Sequence, residues 1–514
     1  MSKRPQFYEN TLEIPHINEA TLTESLHDLR AAVQNGVRLI EAEDRPRGVY
    51  DGRGIFTGEL GIALTYLRLA QQTPSLGEGS GSRSESARSF YALAAARIPE
   101  YGPNLPLRIG GLSPLAANSP VAPVVLRILH KAATGAAGTI ADTDLLVLSD
   151  AVKLALSHGP VAEYNGHELG ADEVLFGRAG LLWALLNVRA RIAEFPPRQQ
   201  EFLLPVLECI PGVLDVVFED GREGRRGFVG KNGDRDALPL MWTWIPGFYG
   251  IGWAHGLTGI LPILLACPKL TGAYTDYLPE IGQTITALCK LCIAHEGHLP
   301  VSIPSRGPPR ASPLVQVCHG APAILGLLGC AMKDAELVSN HWEPAWDEAA
   351  RLATERVWEE GLLSKGGGLC HGIAGNAWPL LLLHDAYEYT DTLRKGRENY
   401  AARAFLSELP DEICSPDFFL SRALAMLLHA RETRPYNRAE TGNEYRVPDH
   451  PYSLFEGLAG TVCAWADACA VLQARLRKME LAGVDVKKDQ KFKEYIQQQL
   501  GFPFLGGNGV AGVL

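Results

Sequence analysis

Two short segments of this chain set a soft metal ligand beside a nitrogen ligand at the start of an apolar run. One is Cys318-His319-Gly320, followed by Ala321, Pro322 and Ala323; the other is Gly368-Leu369-Cys370-His371-Gly372, followed by Ile373 to Leu383. A third segment keeps the histidine without the thiol, Ala254-His255-Gly256-Leu257-Thr258-Gly259. Cys318, Cys370 and His371 together offer two thiolates and an imidazole, a set that suits Zn2+. Three protein ligands leave one tetrahedral position open, which distinguishes a catalytic site from a closed structural one. Adjacent Cys370 and His371 can both ligate only where the backbone is not yet helical, a freedom that Gly368 and Gly372 supply. His255, without a companion thiol, can shuttle protons near neutral pH. For His319 three roles stay open: spare ligand, proton carrier, or partner that orients a ligand.

Cations flank these segments. Lys365 lies five residues before Cys370, and Tyr445-Arg446-Val447-Pro448-Asp449 precedes Ser453-Leu454-Phe455-Glu456-Gly457. Cations beside a thiol-activating metal suit an anionic thiol substrate. Cys289-Lys290-Leu291-Cys292 is the competing ligand pair, but it falls inside a helical pattern of Ile281, Ile285 and Leu288 with no Gly or Pro beside it, so packing is expected. Cys209, Cys267, Cys330, Cys414, Cys463 and Cys469 have no histidine or cysteine at useful spacing and are assigned to packing as well.

What positions these residues is a repeat. Gly-x-x-Gly opens an apolar run at Gly58, Gly177, Gly256, Gly372 and Gly457, with a variant at Gly320 and an eroded copy at Gly110-Gly111. The seven copies recur at intervals of roughly 50 to 85 residues, the signature of a repeat-built fold. Between them lie amphipathic stretches: 200–217, 277–294, 342–359 and 397–408. Residues 21–43 also carry helical spacing, residues 1–20 read as an arm, and strand signals are nearly absent. The pattern predicts an all-α fold in which amphipathic outer helices alternate with small-residue inner helices, closed as an α/α toroid. Gly at each inner start should let neighbouring helices converge. Gln72 to Arg88 is Gly/Ser-rich and predicts a mobile loop. Residues 219–237, with Arg222, Arg225, Arg226, Lys231 and Arg235, predict a solvated loop. No linker is evident, so one domain over 1–514 is expected, with surface insertions near 72–88 and 219–237.

A net charge of −10 argues against nonspecific nucleic-acid binding. No apolar run reaches a membrane span, the start is polar with no signal peptide, and the scattered cysteines fit reduced thiols; a cytoplasmic protein is expected.

The segments Cys-His-Gly-Ala-Pro, Lys-Gly-Gly-Gly-Leu-Cys-His-Gly-Ile-Ala-Gly-Asn-Ala, Ala-His-Gly-Leu-Thr-Gly and Ser-Leu-Phe-Glu-Gly-Leu-Ala-Gly resemble the eukaryotic LanC-like family, relatives of the bacterial lanthionine cyclases. Asp172 to Gly180 and Arg446-Val447-Pro448-Asp449 fit the same pattern, and the resemblance runs over roughly residues 1–505. It implies a double-layered toroid of seven hairpins, zinc on Cys318, Cys370 and His371, and His255 as the active-site histidine. It also implies glutathione contacts at Lys365, Arg446 and Arg4. The chain departs from the family at Leu299-Pro300-Val301-Ser302, where many members carry a cysteine after Pro-Pro.

The expected activity is zinc-dependent addition of glutathione to dehydroalanine or dehydrobutyrine residues of a peptide or protein. The alternative is a zinc- and glutathione-binding regulatory protein, peripheral at the plasma membrane, although the start lacks the Met-Gly of a myristoylation signal. A third reading, a glycosidase, would need a pair of carboxylates, for which Asp449 and Glu456 are the candidates. The sequence leaves the oligomeric state open.

Overall fold

The computed structural model describes residues 4–505, apart from 78–82, 102–104, 136–139, 158, 165, 272–275, 307–311, 440–443 and 484. Seven buried helices form its inner layer: Glu59–Leu76, Val121–Thr134, Arg178–Ala190, Leu257–Thr271, Ala321–Ala331, Ile373–Tyr389 and Leu458–Glu480. Each packs on the next, and the last packs on the first, so the layer closes into a ring. An outer layer is laid against it by Glu19–Glu43, Arg83–Arg97, Asp142–Ser157, Ile210–Asn232, Leu278–Ala294, Pro344–Glu360 and Pro416–His429. This is the all-α toroid that the repeat predicts.

The inner helices start where the glycines stand. Gly58, Gly177, Gly372 and Gly457 are extended residues at the N-caps, with no side-chain cap. The second glycine of the motif serves the loop that leads into the helix. A Cβ on Gly375 would lie 1.8 Å from the Leu369 carbonyl oxygen, and one on Gly259 2.0 Å from that of Trp253. In both cases the carbonyl is six residues back, so the missing side chain lets the loop fold under its own helix; convergence between helices is the lesser part of its use.

A collar of backbone hydrogen bonds joins these loops around the mouth. Ile55 N–H donates to Pro114 (3.0 Å), Ser113 to Phe176 (3.2 Å), Leu175 to Ala254 (3.4 Å), and Trp253 to Val317 (3.4 Å). Cys318 N–H donates to Cys370 (3.1 Å), Cys370 to Phe455 (2.7 Å), and Phe455 to Phe56 (3.2 Å), which returns to the first repeat. The eroded second repeat keeps its place through Ser113 and Pro114, although its helix starts only at Val121.

The centre of the ring is filled by the C-terminal segment. Phe504 stacks on Trp183 with ring centroids 3.7 Å apart, and Phe502 lies among Trp253, Trp378 and Phe455. Buried Asp467 anchors it: one carboxylate oxygen accepts from Leu500 N–H (2.7 Å) and Gln72 (3.0 Å), the other from Trp378 Nε1 (2.8 Å).

Three expectations are corrected. Residues 219–232 are helical, the second half of Ile210–Asn232, and only the end of the expected loop is irregular. Gly221 and Gly224 face Trp242 and the Met241 carbonyl, while Arg222 pairs with Glu280 and Arg226 with Glu219, so a helix with a glycine inner face read as a charged loop. The expected loop at 72–88 is helical up to Leu76 and again from Arg83; Gln72 and Ser75 are polar because they bind Gln498 of the C-terminal segment, and 78–82 lie outside the described residues. The stretch 397–408 is helical only to Arg403. The chain turns at Phe405 (φ 53°), and Pro416–His429 takes the outer position beside Ile373–Tyr389. Among the described residues, strands are confined to three small sheets, two of which serve the mouth. No helix among the described residues is long and apolar enough to cross a membrane.

Candidate functional site

Cys318 occupies the two-residue turn of a hairpin in which Val315–Gln316 pairs with His319–Gly320. Gly320 leaves that hairpin at φ 145° and caps the following helix directly, a conformation that L side chains rarely adopt. Cys370 and His371 sit on non-helical backbone, with the helix beginning at Ile373. The amides of Ile373, Ala374 and Gly375 donate to the carbonyls of Gly366, Gly367 and Gly368, so the glycine run itself caps the helix. The expected freedom at Cys370-His371 is present.

Among the described residues, Cys318, Cys370 and His371 form the one group of three such side chains able to hold a metal, their donor atoms all within 4.8 Å of one another. A tetrahedral zinc places its sulfur and nitrogen donors roughly 3.5 to 3.8 Å apart, within that limit. Gln316 Nε2 donates to Cys318 Sγ at 3.1 Å. A hydrogen bond from Cys370, with His371 and His319 adding to it against burial, holds the Cys318 thiol well below its ordinary value. The Cys370 thiol, donor of that bond, is pushed well up. The two opposite shifts share one cause, the contact between the two sulfurs. Burial alone pushes Cys267 and Cys292 up to about 12, and it is the main cause of the same rise at Cys469, so the downward shift sets Cys318 apart from them. Cys289 and Cys292 are buried and free, in keeping with packing.

His255 lies across the mouth. Its Nδ1 is 2.7 Å from Glu173 Oε2, and its ring is 5.7 Å from that of His319. Burial pulls the His255 imidazole down, but the Glu173 carboxylate outweighs it and the net shift is upward. Trp244, on the hairpin Thr243–Ile245/Phe248–Gly250, stacks on His255 at 5.2 Å, and Phe176 stands at 6.1 Å. The Arg306 guanidinium sits 5.7 Å from the centroid of the Trp244 ring.

A cavity of about 280 Å³ lies beside Gln316, the donor to Cys318 Sγ, and is lined by Arg4, Lys365, Arg446, Gln316, Gln6 and Leu363 among others. The N-terminal arm builds one wall: Ser364 N–H donates to Gln6, Tyr8 N–H to Leu362, and Ser364 Oγ donates to Pro5 at 2.6 Å. Arg446, 49% exposed, pairs with Asp449, and its amide donates to Ser364. Thus all eight site residues expected from the sequence, Arg4, His255, Cys318, His319, Lys365, Cys370, His371 and Arg446, fall at one mouth. Glu173, Gln316, Phe176, Trp244 and Arg306 also stand there, and sequence reasoning gave them no role. Glu173 and Phe176 lie in the Asp172–Gly180 segment, where a carboxylate ahead of the third Gly-x-x-Gly was the available signal.

Residues 141–413 match the model of the family described as "Lanthionine synthetase C-like protein". The chain is 27% identical over 310 residues to "Glutathione S-transferase LANCL1" of Danio rerio, covering 60% of this chain and 62% of that one. It is 30% identical over 342 residues to "LanC-like protein GCL1" of Arabidopsis thaliana, covering 65% of this chain and 63% of that one. The chain therefore spans less than two thirds of the length of either relative. Nisin cyclase, a solved structure, aligns over 78% of this chain and 98% of its own with a TM-score of 0.40 at 14% identity. With the family model covering more than half of the sequence, the chain belongs to the lanthionine synthetase C-like family.

Proposed function

We propose that this protein adds the thiol of glutathione to dehydroalanine or dehydrobutyrine residues of a peptide or protein, with zinc held by Cys318, Cys370 and His371. The observation that carries this reading is Gln316, which lines the cationic cavity and donates to Cys318 Sγ, so an anion in the cavity has its thiol next to the metal ligands. The name of the Danio rerio relative supports glutathione as the thiol. Held by Cys318, Cys370 and His371, a zinc ion would lower a thiol's pKa from about 8.5 and so raise the nucleophile's concentration near pH 7.

The chain's own residues supply binding and proton transfer. Lys365, Arg446 and Arg4 face the carboxylates of glutathione, and charge-assisted contacts to a carboxylate orient as well as bind. Arg446 exchanges Asp449 for the ligand. The thiol gives its proton to solvent, and as the sulfur bonds to the β-carbon, the alkene's electron pair moves toward the neighbouring carbonyl and the α-carbon must take a proton. His255, fixed at Nδ1 by Glu173, delivers it from Nε2. The upward shift of His255 keeps more of it protonated at neutral pH, as a donor requires. His319, beside His255, is the second candidate for that proton. The metal-bearing mouth and the adjoining cavity hold the reactants in one geometry, which is most of what an addition of this kind needs.

The test is mass spectrometry of a dehydroalanine peptide incubated with glutathione and the zinc-loaded protein. An adduct of one glutathione that disappears in Cys318→Ala supports the reading. Glutathione and zinc binding without adduct overturns it in favour of a binding and regulatory role.

A further inference from the structure

The thiol cavity occupies one side of the mouth and leaves the other side to the acceptor. That side is a layered stack: Phe176, His255, Trp244, then the Arg306 guanidinium. Trp244 also leans over His319, with ring centroids 5.6 Å apart, so one indole covers both histidines. It stands on a short hairpin whose Phe248–Gly250 strand pairs with Ser302–Ile303, three residues before Arg306. The same small sheet thus carries both residues. Arg306 is exposed, its recorded contact is the Trp244 ring, and no carboxylate among the described residues pairs with it. In a chain of net charge −10, an exposed guanidinium parked on an aromatic face beside a catalytic histidine has no structural debt to settle.

We infer that Trp244 and Arg306 form the acceptor subsite and select acidic peptides: the dehydrated residue packs against the edge of Trp244, and Arg306 reads a carboxylate side chain next to it. This rests on the reaction proposed above. A planar dehydroamino acid, conjugated through its amide, packs against the open edge of an indole whose faces His255 and Arg306 cover, as another aromatic ring would edge-on. A guanidinium held over the indole face is pre-oriented and gives up little side-chain freedom when a carboxylate arrives. The arrangement also explains why the two cationic regions are separate. Arg4, Lys365 and Arg446 serve the thiol, whereas Arg306 is separated from the metal ligands by the indole and His255.

The experiment compares two dehydroalanine peptides that differ only in flanking Glu or Gln, with the zinc-loaded full chain. Wild type should show a lower KM for the Glu peptide by about fivefold, a ratio that shrinks as salt rises from roughly 0.05 to 0.3 M. Arg306→Gln should bring that ratio close to one, Arg306→Lys should restore part of it, and neither should move the Kd of glutathione. Trp244→Ala should raise KM for both peptides by about tenfold. A ratio unchanged in Arg306→Gln, or a glutathione Kd that moves with it, overturns the subsite. If wild type forms no adduct with either peptide, the reaction itself fails, and binding of the two peptides followed by Trp fluorescence still decides the subsite: equal affinity for Glu and Gln peptides sinks it, and a Glu preference lost in Arg306→Gln sustains it.

Discussion

The amide of Cys318 donates to the carbonyl of Cys370 at 3.1 Å, so the two thiols of the site hang from a single backbone hydrogen bond between neighbouring repeats. Their spacing is therefore a property of the main chain, and side-chain substitutions there should remove a ligand without moving its partner. Cys318→Ala and Cys370→Ala should each lower zinc content from one per chain to near zero while the far-ultraviolet circular dichroism stays that of a helical protein. Cys289→Ala should keep its zinc. Elemental analysis after dialysis checks this, and zinc loss confined to Cys289→Ala sinks the ligand set.

The cationic cavity makes a separable prediction. Lys365→Ala and Arg446→Ala each remove one exposed cation from its lining, which should weaken glutathione binding by about tenfold, the usual scale for a charge-assisted contact. Zinc content should not change. Titration calorimetry with the zinc-loaded variants measures it, and unaltered affinity in both would move glutathione elsewhere.

A pH profile follows from the Glu173–His255 pair. Because the carboxylate raises the imidazole above its ordinary value, the protonated donor persists above pH 6.5 and is lost as pH rises through the raised value. The histidine's contribution to stability has the same sign: present in full below the unfolded histidine value, lost on the alkaline side. Glu173→Gln should shift the alkaline limb of kcat/KM downward in pH, and His255→Ala should cost on the order of 10²-fold or more at pH 7. A limb that stays put in Glu173→Gln would mean that another group gives the proton.

Two glycines should respond in opposite ways to the same substitution. At Gly375 a Cβ would meet the Leu369 carbonyl at 1.8 Å, so Gly375→Ala should destabilise by about 3 kcal/mol or more. Gly230 stands exposed in the Ile210–Asn232 helix with nothing within 4 Å, and Gly230→Ala should stabilise by roughly 0.5–1 kcal/mol. Thermal melts of the two variants distinguish them.

The sequence made the ring legible because its register is written locally. A glycine pair three apart before an apolar run marks five of the seven inner helices, and the Cys-His pairs ride on that register, so the metal group could be assembled on paper. What stayed hidden is long-range. Glu173 lies 82 positions before His255, and no spacing rule joins them. Phe502 and Phe504 fill the ring's centre, yet nothing local in Gly-Phe-Pro-Phe-Leu tells a plug from a tail. The helix across 219–232 was concealed by its own packing, since Gly221 and Gly224 supply its inner face and no hydrophobic stripe marks them.

The collar around the mouth has one property that follows from closure alone. A helix or a strand ladder loosens from its ends, where the last pairs have a neighbour on one side only. The chain of amide-to-carbonyl links from Ile55 round to Phe455 and Phe56 has no last pair. Fraying has nowhere to begin, and opening one link requires strain in the others. The seven stations are also indifferent to the residues mounted on them, because the links use main-chain atoms. A substitution at one station therefore leaves its two links in place, and the wheel keeps its shape whichever side chain is mounted on the rim.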